Sequence, residues 1–132
     1  MTTLVVDTSA LVAVALDEPE CPRIIATLGA PSGRAGIGAP TVVELGMVLT
    51  SRLGQDGRPF VAGLLGEFEI GIIPFADTHW RVAVEAFARF GRGRHPAALN
   101  FGGCLTYATA RVADAPLLFV GEDFTHTDLV PA

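Results

Sequence analysis

The chain has no lysine, and that absence sets the first limits on what it does. All nine basic residues are arginines and fourteen residues are acidic, so the formal charge is −5. An acidic balance argues against a general nucleic-acid coat protein, which needs a basic surface. It is compatible with a nuclease, because carboxylates that hold a catalytic metal ion are themselves acidic.

Cysteine and long apolar runs are also scarce. Cys21 and Cys104 are too few for a disulfide framework and lack metal-knuckle spacing, so we expect two reduced thiols in a cytoplasmic protein. No apolar run approaches the ~20 residues that cross a bilayer, so we expect no contact with a membrane. No basic segment precedes an apolar one near Met1, so we expect no signal peptide.

Apolar surface, by contrast, is plentiful. Half of the 132 residues are hydrophobic and 17% are charged. This composition excludes a disordered chain, because burial of that surface offsets the entropy lost on ordering. The length suits one domain, which we expect to span residues 1–132.

Short apolar strands alternate with helices along the chain. We predict strands over 4–6, 35–39, 69–75 and 116–120, and helices over 10–16, 21–29, 40–53, 59–68, 77–90 and 100–113. Thr8 or Ser9 is expected to cap the first helix, and Asp77 or Thr78 the fifth. Residues 30–36 are expected to form a loop. The alternation indicates an α/β fold with a parallel sheet covered on both faces.

Three carboxylates stand where an acid is unexpected. Asp7 ends an apolar strand, Glu44 interrupts an apolar helix, and Asp123 follows the last apolar strand. Burying a carboxylate is costly unless it is paired or bound to metal, and no lysine is available as a partner. We therefore interpret the three as ligands of Mg²⁺ or Mn²⁺. Each acid also has a structural alternative. Asp7 could cap the helix that follows it, Glu44 could lie on a solvent-exposed stripe of its helix, and Asp123 could be a turn residue.

Four blocks of the sequence carry a family resemblance. They are Asp7–Ala13, Glu44, Asn100–Ala108 and Leu117–Phe124. In this order and at this length they resemble the PIN-domain ribonucleases, and more narrowly the VapC toxins of type II bacterial toxin–antitoxin pairs. The resemblance spans essentially the whole chain. It implies a three-layer α/β/α sandwich with a short central parallel sheet.

The resemblance also implies metal-dependent endonucleolytic cleavage of RNA. In the family, acids at four places hold one or two Mg²⁺ or Mn²⁺, and Asp7, Glu44 and Asp123 match three of these places. The metal would lower the pKa of a bound water, whose hydroxide attacks phosphorus in line. Thr8 or Ser9 would add a hydroxyl near the metal or the scissile phosphate.

The fourth acid is missing. Where the family pattern reads Asn-Phe-Gly-Asp-Cys, this chain has Asn100-Phe101-Gly102-Gly103-Cys104. With Asn100 as N-cap, Gly103 is the third helical position, where an acid would complete a capping box and favour the helix dipole. Glycine there costs up to about 1 kcal/mol in helix propensity.

Three explanations of Gly103 remain open at this point. They are a deliberate inactivation of a toxic protein, a natural variant with weakened catalysis, and close packing of another backbone against Gly102 and Gly103. Under the first two, we expect the chain as it stands to cleave RNA poorly.

Positive charge precedes the helix that carries Gly103. Arg92 and Arg94 lie in a glycine-rich loop which the implied fold places beside the carboxylates, where they suit RNA phosphates. With Thr8, Ser9 and Asn100 they form the predicted substrate-binding set. A solvated loop or an antitoxin contact is the alternative for the two arginines.

Other polar residues carry weaker predictions. His79, His95 and His126 lack metal-ligand spacing, so we expect surface or capping roles, with substrate contact as an option for His126. Asp128 is expected to support the metal ligands indirectly.

The resemblance further implies protein partners. A cognate VapB-type antitoxin would pack its C-terminal segment into a groove at the first two helices, where Leu11, Ala15 and Ile25 exceed what one sheet face covers. Two copies of the chain would pair as a homodimer. A catalytically inactive module that binds antitoxin or RNA is the alternative function. A phosphatase of the haloacid-dehalogenase type is disfavoured, because Ser9 stands where its second Asp is needed.

Overall fold

The computed structural model describes residues 1–30 and 34–132, and there it contains four strands and six helices. The strands are β1 Leu4–Val6, β2 Ala35–Gly38, β3 Gly71–Ile73 and β4 Leu117–Leu118. The helices are α1 Thr8–Ala15, α2 Cys21–Leu28, α3 Ala39–Leu53, α4 Arg58–Glu67, α5 Asp77–Phe90 and α6 Phe101–Ala113. None of these helices is long and apolar enough to span a membrane.

The four strands form one parallel sheet in the order β3-β2-β1-β4. Val5 of the central strand β1 lies opposite Gly36 on one side and Leu117 on the other. The chain leaves β1 towards β2 and β3, and later returns to the far side as β4. The connections therefore change direction between β1 and β4, and a ligand crevice is expected beyond the carboxyl ends of two such strands.

Successive side chains of β1 point to opposite faces of the sheet and therefore contribute to two hydrophobic cores, one on each face. Val6 packs with α1–α4 residues such as Leu11 and Leu45, whereas Val5 packs with α5–α6 residues such as Phe90 and Tyr107. Helices thus cover both faces, and the predicted three-layer α/β/α sandwich is confirmed.

The two capping predictions were wrong. Helix α1 begins at Thr8, and Asp7 caps it by accepting the Ser9 N–H at Oδ2 over 3.0 Å. Helix α5 begins at Asp77, with Ala76 as its N-cap residue. The buried His79 accepts the Ala76 N–H at Nδ1 over 3.0 Å, so this histidine has a capping role and is not on the surface.

Strands β3 and β4 are shorter than predicted, for local reasons. Glu69 adopts a positive φ of 52°, which strand residues do not adopt, and Pro74 has no N–H to donate. After β4, Val120 donates its N–H to the Ser9 hydroxyl instead of a neighbouring strand. Of the loop predicted over 30–36, Ala35 and Gly36 belong to β2, and residues 31–33 lie outside the described residues.

The segment that follows β4 is hydrogen-bonded to helix α6. The Tyr107 hydroxyl donates to Asp128 Oδ1 at 2.6 Å, and Arg89 of α5 donates to Asp128 Oδ2 at 3.4 Å. Burial raises the pKa of Tyr107 to about 12, and the hydrogen bond to Asp128 adds to the rise. The neutral phenol is therefore the form that the folded protein favours.

Tyr107 is the only tyrosine, so its phenolate absorbance reports this contact alone. An unfolded tyrosine titrates near pH 10, so the stabilisation is complete below about pH 10 and is lost as the pH rises towards about 12. We expect the free energy of unfolding in urea to fall over this range, and to fall less in Tyr107→Phe. A phenolate midpoint near pH 10 in the folded protein would contradict this.

Candidate active site

A pocket of about 290 Å³ opens beyond the carboxyl ends of β1 and β4. It collects most of the residues that the sequence singled out, drawn from the start of α1, from α3, from the start of α6 and from the segment after β4. These residues are Asp7, Thr8, Ser9, Glu44, Asn100, Gly103 and Asp123. The structure therefore brings the three predicted acids to one cleft.

Asp7 is buried, and its carboxylate is oriented by Ser9. Oδ2 accepts the Ser9 N–H at 3.0 Å and the Ser9 hydroxyl at 2.7 Å, while Oδ1 accepts no hydrogen bond from the described residues. The Ser9 hydroxyl in turn accepts the Val120 N–H at 3.0 Å. One hydroxyl thus joins the ends of β1 and β4, and Asp7 both caps a helix and presents an oxygen to the pocket.

Glu44 is held between the starts of two helices. Its Oε1 accepts the Thr8 hydroxyl at 2.6 Å. A methyl group placed at Gly102 would lie 3.0 Å from Glu44 Cδ, and closer still to Oε2. Real side chains essentially never approach so closely, so the Glu44 carboxylate would have to move from its present position if residue 102 carried a side chain.

Gly103 borders the same pocket under a different constraint. Its N–H donates to Asn100 Oδ1 at 2.8 Å, which confirms Asn100 as the N-cap of α6. A Cβ at this position would lie 3.2 Å from Leu99 Cδ2 and 3.3 Å from Asn100 Oδ1. Both contacts are tight, but they are made by side-chain atoms that can shift by a few tenths of an ångström. Close packing therefore explains Gly102, where the neighbour is a side chain and not a backbone, and it does not require glycine at 103.

Several predicted site residues lie outside the pocket lining. Arg92 and Arg94 are exposed on the loop after α5, and His126 is exposed after Asp123. Asp128 is bound to Tyr107 and Arg89, away from the acids.

Sequence reasoning also missed one acid and misjudged one apolar residue. Glu18, in the turn between α1 and α2, is a fourth carboxylate in the lining, and the acidic run at 17–20 was its only signal. Leu11, predicted to contribute to an unpartnered surface, is fully buried in the core because it faces the sheet.

The donor chemistry of the pocket fits a hard divalent cation. Asp7, Glu18, Glu44 and Asp123 offer carboxylate oxygens, which Mg²⁺ and Mn²⁺ prefer. Within residues 1–30 and 34–132, no three His, Cys, Asp or Glu side chains lie close enough to form a ready-made metal site. The donors thus fit in kind, and the position that would bring a further carboxylate carries Gly103.

Comparisons with known proteins agree with this geometry. The PIN domain family model matches residues 4–129. Ribonuclease VapC36 of Mycobacterium tuberculosis is 43% identical over 126 residues, which cover 96% of this chain and 91% of that protein. Ribonuclease VapC42 of the same organism is 39% identical over 130 residues, 98% of either chain. The chain belongs to the PIN-domain family, among the VapC ribonucleases.

Two solved structures of toxins share its fold. VapC20 of Mycobacterium tuberculosis, a toxin that cleaves the Sarcin-Ricin loop, superposes with a TM-score of 0.80 at 14% identity, over 98% of both chains. A toxin–antitoxin complex from Klebsiella pneumoniae gives a TM-score of 0.72 at 18% identity, over 98% of this chain and 97% of that one. The resemblance seen in the four sequence blocks is thereby confirmed for family and fold.

The contact between Glu44 and Gly102 yields a thermodynamic prediction for this VapC-type site. Gly46→Ala, in the middle of α3 with nothing within 4 Å of its Cβ position, should stabilise the protein by about 0.5 to 1 kcal/mol. Gly102→Ala should show no such gain, because the new methyl displaces Glu44 from Thr8. Urea unfolding measures both changes.

The same substitution in a Glu44→Ala variant completes a double-mutant cycle. In Glu44→Ala the obstacle is gone, so Gly102→Ala should stabilise the protein as Gly46→Ala does. Equal effects of Gly102→Ala in the two backgrounds would show that Glu44 does not depend on Gly102.

Proposed function

We propose that this VapC-type chain is built as a metal-dependent endoribonuclease whose site is the pocket of Asp7, Glu44 and Asp123, and that Gly103 impairs it. The observation that carries the proposal is the convergence of these acids on one cleft with Gly103 at its border. VapC36 and VapC42 are named ribonucleases, which supports RNA as the substrate.

Asp7, Glu44 and Asp123 would hold Mg²⁺ or Mn²⁺. When bound, the cation supplies the Lewis acidity that lowers the pKa of water and balances charge on the phosphate. Ser9 and Thr8 orient the Asp7 and Glu44 carboxylates through hydrogen bonds. Their contact with the metal or the scissile phosphate stays a prediction. The amino-terminal end of α6, beside Asn100, adds partial positive charge that favours the scissile phosphate.

Gly103 removes a ligand while leaving the fold of the site in place. Asn100 caps α6 by accepting the backbone N–H of residue 103, which needs no side chain there, and Glu44 keeps its hydrogen bond to Thr8. What Gly103 changes is therefore the negative charge that is available to bind a cation. Weaker metal binding and slow cleavage follow, because carboxylate count and placement set the affinity of such sites.

Restoring the missing acid tests this function. Gly103→Asp should raise the rate of cleavage of structured RNAs with Mg²⁺ or Mn²⁺ by at least about 100-fold, because a lost ligand costs at least as much as a lost supporting residue. Gly103→Asn is the matched control, since it has the same shape without the charge, and it should stay near the level of the unaltered chain.

Three outcomes decide between the candidate functions. Cleavage by Gly103→Asp that EDTA abolishes supports the nuclease. No cleavage of any RNA by Gly103→Asp favours the inactive binding module. Full cleavage by the unaltered chain would refute the role given to Gly103.

An apolar groove of about 350 Å³ between α1 and α4 suits an antitoxin segment. Val14, Ala15, Phe60, Gly63 and Leu64 line it together with Glu67. The Klebsiella pneumoniae neighbour was solved as a toxin–antitoxin complex, which supports an antitoxin as the partner of this chain. The groove includes Ala15 as predicted, whereas Ile25 is exposed elsewhere on α2. Pairing of two copies stays a prediction from the family resemblance.

Charge placed in this groove should release the enzyme from its inhibitor. In the Gly103→Asp background, a VapB-type antitoxin should suppress RNA cleavage, and adding Phe60→Asp should weaken that suppression at least tenfold, because an aromatic anchor is lost and a buried charge is introduced. Inhibition curves at fixed RNA concentration measure the shift. Ile25→Asp serves as the control, and equal suppression of both variants would place the antitoxin elsewhere.

A further inference from the structure

A line of close contacts joins helices α3 and α6 and ends at the acidic pocket. We call it the α3–α6 seam, and its three pairs are Gly38 with Thr109, Thr41 with Thr106, and Glu44 with Gly102. Spacings of three or four residues place the members on one face of each helix. A side chain at either glycine would overlap the group opposite, so the two helices approach closely along the whole seam. Of the three pairs, only the one with Glu44 reaches the pocket lining.

The middle pair of the seam is a hydrogen bond inside the protein. The hydroxyl oxygens of Thr41 and Thr106 lie 3.2 Å apart, and the two residues are only 3% and 1% exposed. Valine has almost the same shape as threonine, and replacing two bonded buried groups by apolar groups of the same shape costs little stability. Stability therefore gives no reason for two hydroxyls at this place.

The short distance between the two hydroxyls supplies a reason. Bonded oxygens lie 3.2 Å apart here, whereas two methyl carbons prefer about 3.5 to 4.0 Å. An apolar pair would therefore hold α3 and α6 roughly half an ångström further apart. One turn along α3, Glu44 lies against Gly102 and accepts the Thr8 hydroxyl at 2.6 Å. Separation of the helices would move this carboxylate away from the start of α6.

We propose that Thr41 and Thr106 are positioning residues for Glu44. Their hydrogen bond sets the spacing of α3 and α6, and that spacing keeps the Glu44 carboxylate between Thr8 and the start of α6. The inference rests on the proposed function, which makes Glu44 a ligand of the cation. It adds that the placement of this ligand is controlled from inside the protein, by two residues outside the pocket lining.

The carbon resonance of the Glu44 carboxyl group, measured by NMR in the chain as it stands, tests the positioning without metal or RNA. Thr106→Val should shift this resonance by more than its line width, because a methyl group replaces the hydroxyl that draws the helices together. Thr106→Ser keeps the hydroxyl and should leave the resonance near its original position. Thr50→Val is the matched control, since it removes a hydroxyl of α3 that bonds to Gly46 and Gly57 instead of α6.

A paired variant separates positioning from a purely structural role. With Thr41→Val and Thr106→Val together, no hydroxyl of this pair is left without its partner, so urea unfolding should give nearly the stability of the unaltered chain. The Glu44 resonance should stay displaced, because the two valines keep the helices apart. Recovery of stability and resonance together, or an unshifted resonance in Thr106→Val, overturns the proposal.

Metal binding connects the seam to the proposed function. In the Gly103→Asp background, Mn²⁺ binding measured by calorimetry should weaken about tenfold in the paired variant, the lower end of the loss caused by removing a group that supports a metal ligand. If Gly103→Asp binds Mn²⁺ and the paired variant binds it as tightly, the positioning fails and the metal site stands. If Gly103→Asp binds no Mn²⁺ while the Glu44 resonance still moves, the positioning stands and the metal site fails.

Discussion

The hydroxyl of Ser9 is the contact on which the candidate site depends. It donates to Asp7 Oδ2 and accepts the Val120 N–H, so it fixes a carboxylate and ends β4 in the same place. Since Val120 bonds to a side chain, the chain leaves the sheet after Leu118 and carries Asp123 to the pocket. Arg23 of α2 secures the departing strand by donating to the Phe119 carbonyl at 2.9 Å. Two acids that are far apart in sequence therefore share one cleft.

The two adjacent glycines of α6 have different steric surroundings. At Gly102 the Glu44 carboxylate occupies the space of a side chain, so glycine lets Glu44 keep the position in which it bonds to Thr8. At Gly103 the neighbours are the movable side chains of Leu99 and Asn100, so sterics alone do not exclude aspartate. The first glycine leaves space for Glu44, and in the proposed site the second stands where the family resemblance implies an acid.

Local signals made part of this structure predictable. Strand β1 and the start of α6 were predicted correctly, because an apolar run and an Asn cap act within a few residues. The convergence of Asp7 and Asp123 followed from the rule for parallel strand ends. Glu18 was missed because a turn packs it against the pocket, and nothing nearby in sequence encodes that approach.

Tertiary context also decided which apolar residues are exposed. Leu11, which was expected on an unpartnered apolar surface, is fully buried, whereas Phe101 is 81% exposed. The difference lies in what each side chain faces. Leu11 is on the side of α1 that packs against the sheet, whereas Phe101 is the first residue of α6, beside the pocket.

The net charge of −5 conceals a division of charge across the molecule. Carboxylates gather in the pocket, and Arg92 and Arg94 lie outside it on the exposed loop after α5. Carboxylates repel phosphate and arginines attract it, so a phosphate group can approach the acids of the pocket only where a cation offsets their charge. Gly103 stands where the family resemblance implies a further acid. In the proposed site it thereby lessens the repulsion of RNA while it weakens the hold on the cation, so that binding and cleavage respond to this residue in opposite directions.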